Sequence, residues 1–531
     1  MKNNALLLTD SYKLGHAEQY PSGTTLVVSN FTPRSLKHST IQSIRPNHKI
    51  VVHGIHAAIK TLTDMWKTGF FDRNKEEVIN EFMTYTESFR PHNFDKTRFE
   101  RLHDLQYLPI SVKSLPEGTQ VQVKIPVFTI HNTIDEFFWI TNYLETSLSA
   151  LIWKPMTVAT IAKTYRDIIS EYSTKTGAAE WFTDFQCHDF SSRGLSNIQD
   201  IEQTGCAHLL SFMGTDSLPA LRYVTEHYNL SGTDCIGASV PATEHSVMCM
   251  GTKTDELETF KRLISETYPT GIVSIVSDTW DYFKVLTEVA PLLKDMIMSR
   301  DGKVVFRPDS GNPIDIICGS AIPVPNRSDM DVYSQQIYYV KNTDEYIRPV
   351  IEIHKGAKFF KYLEVIRHPT PEMKGSIKIL HELFGGTTTS KGYITIDGHV
   401  GLIYGDSITL ERCDEILNRL EIMGFASDNI VFGVGSYSYQ HLTRDTFGFA
   451  MKATYGEVNG EPREIFKDPK TDSGIKKSLK GLVFVNENLE VSDQCTMEKF
   501  LSTNNMLKEI YNDGVFRTDK PVFSDIKALL K

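Results

Sequence analysis

The chain has 531 residues, more than one hydrophobic core usually serves, so two domains or one large elaborated domain are expected. Its 40% hydrophobic and 23% charged content is that of an ordinary globular protein, and a net charge of −10 argues against a nucleic-acid binder held by a basic face. No run approaches transmembrane length, the first eight residues lack the pattern of a signal peptide, and seven scattered cysteines without a Cys-x-x-Cys pair predict reduced thiols in a cytoplasmic protein.

In chain order, Asp10-Ser11-Tyr12-Lys13 opens a short helical segment, with Asp10 as its N-cap. Residues 25–31 are strand-like and Arg34 follows them. Residues 54–67 form a helix stopped by Gly69, and the alternation in 119–130 predicts a half-exposed strand. Tyr12 and Arg34 stand out here, although on spacing alone an ordinary surface tyrosine and a solvated arginine explain them better. Two amphipathic helices are expected at 137–153 and 158–172. The aromatic run 181–185 then leads into Cys187-His188-Asp189-Phe190-Ser191-Ser192-Arg193-Gly194, read as a strand and its tip. Phe190 stands among polar residues, a setting that suits a stacking platform better than a core position. Asp216, in Gly214-Thr215-Asp216-Ser217, is either an N-cap or a ligand group. In Ser239-Val240-Pro241-Ala242-Thr243-Glu244-His245-Ser246, small residues leave the His245 ring reachable for nucleophilic or proton-transfer work, with a structural histidine as the alternative.

Four further segments share one form, a short apolar strand running into a polar tip. They are Ile272-Val273-Ser274-Ile275-Val276 into Ser277-Asp278, Val304-Val305-Phe306 into Arg307-Pro308-Asp309-Ser310-Gly311-Asn312-Pro313, Leu402-Ile403-Tyr404 into Gly405-Asp406, and Ile430-Val431-Phe432 into Gly433-Val434-Gly435-Ser436. Strand, polar tip and helix in repetition predict a parallel α/β sheet or barrel, whose ligands bind at the carboxyl ends of the strands. Asp278, Arg307, Asp309, Asp406 and the Gly435 loop fall there. Three carboxylates, an arginine and a glycine turn suit a phosphorylated substrate with a divalent metal.

No phosphate loop of the Gly-x4-Gly-Lys-Ser/Thr type is present, no complete dinucleotide fingerprint, no His-Glu-x-x-His and no Gly-x-Ser-x-Gly. After Gln440-His441-Leu442-Thr443-Arg444-Asp445 the chain turns locally basic, with Lys452, Lys467 and Lys476-Lys477-Ser478-Leu479-Lys480-Gly481, either a solvated face or an anion site.

Taken together, nine motifs in order resemble the nicotinamide phosphoribosyltransferase family of type II phosphoribosyltransferases. They are Asp10-Ser11-Tyr12-Lys13, His188-Asp189-Phe190 with Arg193-Gly194, Gly214-Thr215-Asp216, Ser239-Val240-Pro241-Ala242 with Glu244-His245-Ser246, Val276-Ser277-Asp278, 307–313, Gly405-Asp406, Leu442-Thr443-Arg444-Asp445 and Phe466-Lys467-Asp468-Pro469. The resemblance implies an irregular α/β barrel with a second α+β domain, assembled as a homodimer with shared active sites. Domain limits are drawn at 1–150, 151–445 and 446–531, the last completing the second domain. It implies nicotinamide and phosphoribosyl pyrophosphate as substrates, Mg²⁺, and ATP as a coupled substrate. Phe190 and Tyr12 of the second copy would sandwich the pyridine ring, and Asp216 would accept from the carboxamide, with Arg307, Ser239, Ala242 and Ser274 around it. Asp278 and Asp309 would lie near ribose and metal. Gly405, Asp406, Gly435, Ser436 and Arg444 would hold ribose hydroxyls and 5-phosphate, and Arg193, Arg34, Lys452, Lys467 and Lys476 pyrophosphate or ATP phosphates. His245 matches the histidine that ATP phosphorylates, its ring oriented by Asp278 or another strand-tip acid. Two departures stand out: Ser436 replaces a usual glycine, and the chain is longer than the family pattern between Gly319 and about Ile377, with an insert near 320–376. Nicotinate phosphoribosyltransferase is the nearest alternative, with a non-catalytic nucleotide-binding module as the other.

Overall fold

A computed structural model describes residues 3–89, 95–232, 235–405, 407–466 and 479–531. Asp406, Lys467 and Lys476 lie outside the described residues. The chain forms two compact units. One comprises Met1–Ile161, Arg222–Asp234 and Leu442–Lys531, the other Ala162–Leu221 and Cys235–His441.

The first unit is built on a seven-stranded antiparallel sheet. Its order is Glu461–Glu464, Ala450–Val458, Thr24–Thr32, Phe128–Asn132, Ile110–Ser114, Lys508–Asn512 and Val515–Phe516. Phe31 stacks on Phe128 and Phe449 with ring centroids 5.2 and 5.3 Å apart, so residues distant in sequence close one core. The expected strand at 119–130 is instead two short strands, Gln120–Val121 and Phe128–Asn132. Lys124 between them takes a left-handed backbone, φ 75°, which breaks the alternation. Asp10 does precede a helical turn, Ser11–Gly15, but its carboxylate accepts from Thr146 Oγ1 at 2.6 Å and caps no amide.

The two helices expected at 137–153 and 158–172 are largely one, Glu145–Thr176, preceded by the short turns Asp135–Phe137 and Ile140–Tyr143. Pro155 lies inside it and removes one backbone donor. Thr157 Oγ1 donates to the Trp153 carbonyl at 2.6 Å and Thr160 Oγ1 to that of Met156 at 2.8 Å, supplying side-chain donors around the proline.

The second unit is a curled, wholly parallel sheet with strand order Gly214–Thr215, Cys187–Asp189, Val431–Val434, Val400–Tyr404, Gly302–Arg307 and Gly271–Val276. The aromatic run 181–185 is a 3-10 turn before its strand. Valine, isoleucine and phenylalanine recur in these strands, and Val273, Ile275, Val304, Phe306 and Phe432 are buried. Helices follow the strands. Leu410–Met423 buries Leu410, Cys413, Ile416, Leu417, Leu420 and Met423, a stripe at helical spacing. The two sheet edges meet one five-residue segment, 238–242. Gly214 bridges to Ala238 on one side and Ser274 to Ala242 on the other, both parallel. Ala238 N donates to Met213 O at 2.7 Å and Ser274 N to Pro241 O at 2.9 Å. That seam makes the sheet an irregular α/β barrel.

The segment beyond Gly319 folds as a small sheet of Ile322–Val324, Tyr338–Val340, Glu345–His354 and Ala357–Ile366. Its own core consists of Val324, Met330, Tyr338, Val340 and Ile347. Among the described residues, no helix is long and apolar enough to cross a membrane.

Candidate active site

Parallel strands end on one side, so every polar tip of the barrel faces the same way. A cavity of about 510 Å³ inside the barrel is lined there by Phe190, Asp216, Ser239, Ala242, Ser274 and Arg307, with His188 beside them. Trp181, Thr395 and Asn429 line its other end.

Asp216 Oδ1 faces His188 Nε2 at 3.0 Å and accepts from Ser239 Oγ at 2.5 Å, which leaves Oδ2 for a ligand. Burial alone would raise this carboxyl, but those two hydrogen bonds, with the charges of His188 and Arg307, bring it below the ordinary carboxylate range. The His188 ring lies 4.6 Å from that of Phe190, and the Arg307 guanidinium 5.8 Å from the Phe190 centroid. Arg307 is anchored by donating to the Thr243 carbonyl at 2.6 Å. Burial lowers its pKa, against the opposing pull of Asp309, Asp216 and Asp278. Ser274 Oγ is buried without a hydrogen-bond partner among the described residues, a group a ligand would satisfy.

Asp278 is almost wholly buried in a second cluster. Its Oδ2 accepts from Asp309 N at 2.9 Å and Ser310 Oγ at 2.6 Å, while Oδ1 faces His245 Nε2 at 3.2 Å. His245 opens the helix His245–Met250 with its side chain half exposed. Glu244 takes the adjacent Ser246 hydroxyl instead of the histidine. Of the strand-tip acids, it is Asp278 that faces the His245 ring. The Arg307–Pro313 turn is pinned by Tyr404, whose hydroxyl donates to Gly311 O at 2.9 Å, and by Asn312, which caps the following helix. Gly405 lies close under Asp309: a Cβ there would come within 2.5 Å of Asp309 Oδ1, so the carboxylate would have to shift.

Gly435 caps the short helix Ser436–Tyr439, and Phe190 N donates to Val434 O at 2.9 Å. Ser436 sits against Gly194, where a Cβ would come within 2.4 Å of the serine Cβ. So Arg193 and Ser436 occupy one corner, and the exposed Arg193 adds to the field that lowers the Arg307 pKa.

Tyr12, Arg34, Arg444 and Lys452 belong to the other unit. Tyr12 is 58% exposed, its ring edge-on to His16. Arg34 donates to Gly448 O at 2.9 Å, and burial and then the charge of Arg444 lower its pKa. Lys452 pairs in register with Asn30. Of these cations, Arg34 and Arg444 lie close enough for the charge of one to act on the other. No group of three or more His, Cys, Asp or Glu able to hold a metal occurs among the described residues. Asp278 and Asp309 still suit magnesium, which keeps several waters and binds through one or two carboxylates plus substrate phosphates.

Sequence reading named neither His188 nor Thr243 as a site residue. His188 lies on the strand Cys187–Asp189, two residues before Phe190, and in extended chain that spacing places both on one face.

Solved structures place the architecture. Nicotinate-nucleotide pyrophosphorylase from Pyrococcus furiosus superposes with a TM-score of 0.53, covering 99% of this chain and 94% of that one at 14% identity. Human nicotinic acid phosphoribosyltransferase superposes at 0.51, covering 99% and 93% at 13% identity. The fold is that of a type II phosphoribosyltransferase. Sequence narrows it further. The nicotinate phosphoribosyltransferase family model matches residues 185–515, and the model of the nicotinamide phosphoribosyltransferase N-terminal domain matches 4–105. The nicotinamide phosphoribosyltransferase of Acinetobacter baylyi is 47% identical over 91% of this chain and 88% of its own length. That of Mycoplasma pneumoniae is 32% identical over 91% and 96%. The chain belongs to the nicotinamide phosphoribosyltransferase family.

Proposed function

We propose that the enzyme joins nicotinamide to phosphoribosyl pyrophosphate, giving nicotinamide mononucleotide and pyrophosphate for NAD salvage, with ATP hydrolysis coupled through His245. The observation that carries the choice of base is Asp216, ionised beside Phe190 with Oδ2 open. A carboxylate there accepts from a ring carboxamide and repels a ring carboxylate.

The pyridine nitrogen already bears a free lone pair. It bonds to the anomeric carbon as the bond from that carbon to the pyrophosphate oxygen breaks, and the electron pair leaves with pyrophosphate. No protein base is needed, and the described site holds no evident nucleophile–base pair for this step. The protein instead supplies position and charge. Phe190 supports one ring face and Tyr12 of a second copy the other, which makes the working form a homodimer. Gly405, Gly435 and Ser436 hold the ribose 5-phosphate end together with Asp406. Arg444 joins that 5-phosphate group, and Arg193, Arg34, Lys452, Lys467 and Lys476, some of them from the second copy, collect the pyrophosphate or ATP phosphates. Asp278 and Asp309 would hold magnesium, whose charge offsets that on the departing pyrophosphate.

With Nε2–H directed at Asp278, Nδ1 of His245 carries the lone pair. It bonds to the γ-phosphorus of ATP as the bond to the bridging oxygen breaks and ADP leaves. Hydrolysis of the phosphohistidine after transfer returns the free ring. No disulfide joins the described cysteines, which fits the reducing cytoplasm where we place the enzyme.

Incubation with phosphoribosyl pyrophosphate, Mg²⁺, ATP and either base tests the assignment. Nicotinamide mononucleotide formed with nicotinamide strongly preferred is the expected result. Preference for nicotinate overturns it.

A further inference from the structure

The insert takes no part in the chemistry above, yet it carries a basic surface rich in exposed apolar side chains. Residues 353–362, Ile-His-Lys-Gly-Ala-Lys-Phe-Phe-Lys-Tyr, hold three lysines, a histidine and no carboxylate in a chain of net charge −10. They form the end of the hairpin between Glu345–His354 and Ala357–Ile366, with every residue from 352 to 362 exposed. Ile353, Phe359 and Tyr362 are 59%, 54% and 57% exposed, and Phe360 and Val365 are exposed as well. The base of the hairpin is fixed, since Ile347 is fully buried in the insert core and Leu363 packs on it. Its apex is Lys355-Gly356, both with positive φ, 49° and 84°. Such a tight turn favours asparagine or glycine at its first position, so lysine there puts a cation at the apex against local preference.

We propose that this hairpin end docks on an anionic lipid bilayer. Three observations select that occupant. Consecutive Phe359 and Phe360 point to opposite faces of the strand, so apolar groups flank both sides of a thin wedge. A pocket on a folded partner would need one apolar face, whereas a wedge enters the boundary between headgroups and acyl chains. The apolar groups include Ile353, which offers a lipid tail contact and a nucleobase no ring to stack on. The lysines also stand beside the aromatic rings, where long stems can keep their ammonium groups at the headgroups.

Pairing with a strand of another chain is opposed by the hairpin's own construction. A bulge shifts the register between Val350 and Ile351, and Lys358 and Lys361 stand on the outer strand. Both devices guard a sheet edge. Like charge opposes association of one tip with another. Local pairing leaves the basic character intact: Lys361 meets Glu352 at 2.9 Å and Arg348 holds Glu364, while no acid faces Lys355 among the described ion pairs.

Flotation of the full chain with vesicles tests this directly. The protein should float with phosphatidylcholine–phosphatidylglycerol vesicles and stay behind with phosphatidylcholine alone. Lys355→Glu with Lys358→Glu, and separately Phe359→Ser with Phe360→Ser, should each weaken anionic-vesicle binding by about tenfold or more. High salt should release the wild type. Transferase activity without vesicles should be unchanged in both variants, which shows that they fold. Failure of the wild type to float, or flotation unaffected by either pair of changes, overturns the proposal. So does tighter binding to a single-stranded RNA oligonucleotide, or an oligomer present in wild type and absent in both variants.

Discussion

Asp216→Asn exchanges an acceptor for a donor at one atom. In the wild type, Oδ1 is taken by His188 and Ser239, and Oδ2 is left for the ligand. The asparagine carbonyl can keep the two protein partners, which turns its NH2 toward the ring substituent. Nicotinamide then meets a donor with a donor, while nicotinate gains one for its carboxylate. A charge-assisted hydrogen bond is worth about 1.5–3 kcal/mol. The site is half open, so the lower figure applies in each direction, and the two add to about 3 kcal/mol, roughly a hundredfold change in preference. The assay is kcat/KM for both bases on the same preparation. The pH dependence adds a second check. Because the Asp216 carboxyl lies below its ordinary value, it stays ionised as pH falls through the usual carboxylate range. Wild-type preference for nicotinamide should therefore hold across that range and be lost only as pH drops through the lowered value. A ratio of the two kcat/KM values unmoved by the substitution refutes the pairing.

His245→Ala should abolish ATP hydrolysis and the ATP-dependent gain yet leave a slow basal transfer. Acid-labile label from γ-labelled ATP that persists on this variant would defeat the phosphohistidine. Mixing inactive Tyr12→Ala and Phe190→Ala proteins should restore measurable activity once subunits exchange, and proven exchange with no activity removes the shared site. Gly405→Ala forces a Cβ to 2.5 Å from Asp309 Oδ1, so Asp309 must shift. We expect a stability loss of about 1–3 kcal/mol in thermal denaturation with a marked fall in kcat. Unchanged kcat would mean that Asp309 needs no fixed position.

Much of the barrel was legible because its signal is local. Each strand is a short β-branched or aromatic run, and each tip is a cluster of polar residues, so Asp278, Arg307, Asp309, Asp406 and the Gly435 loop could be assigned to strand ends from sequence. Where the signal is not local, reading failed. Helices read separately at 137–153 and 158–172 are joined across Pro155, where neighbouring threonine hydroxyls donate to the helix carbonyls. Lys124 broke a strand because of a backbone conformation that residue type does not announce. Phe31 and Phe449 share a core across more than four hundred positions, a pairing with no sequence trace. His188 was overlooked for another reason: its work is to hold Asp216, and a residue that acts through a second residue leaves no chemical signature of its own.

The five residues that close the barrel have a consequence for how occupancy can be observed. Ser239 and Ala242 line the cavity, and the same stretch carries the few hydrogen bonds that join the two sheet edges. Recognition and closure thus rest on the same bonds. A seam of single bridges opens far more readily than a full ladder, so its amides are drawn from the less stable end of the molecule. Any molecule that touches Ser239 or Ala242 only in the closed barrel must draw that opening equilibrium shut. Hydrogen exchange at Ala238, Thr243 and Ser274 is then a meter built into the wall of the site. It registers a bound base even when no turnover occurs.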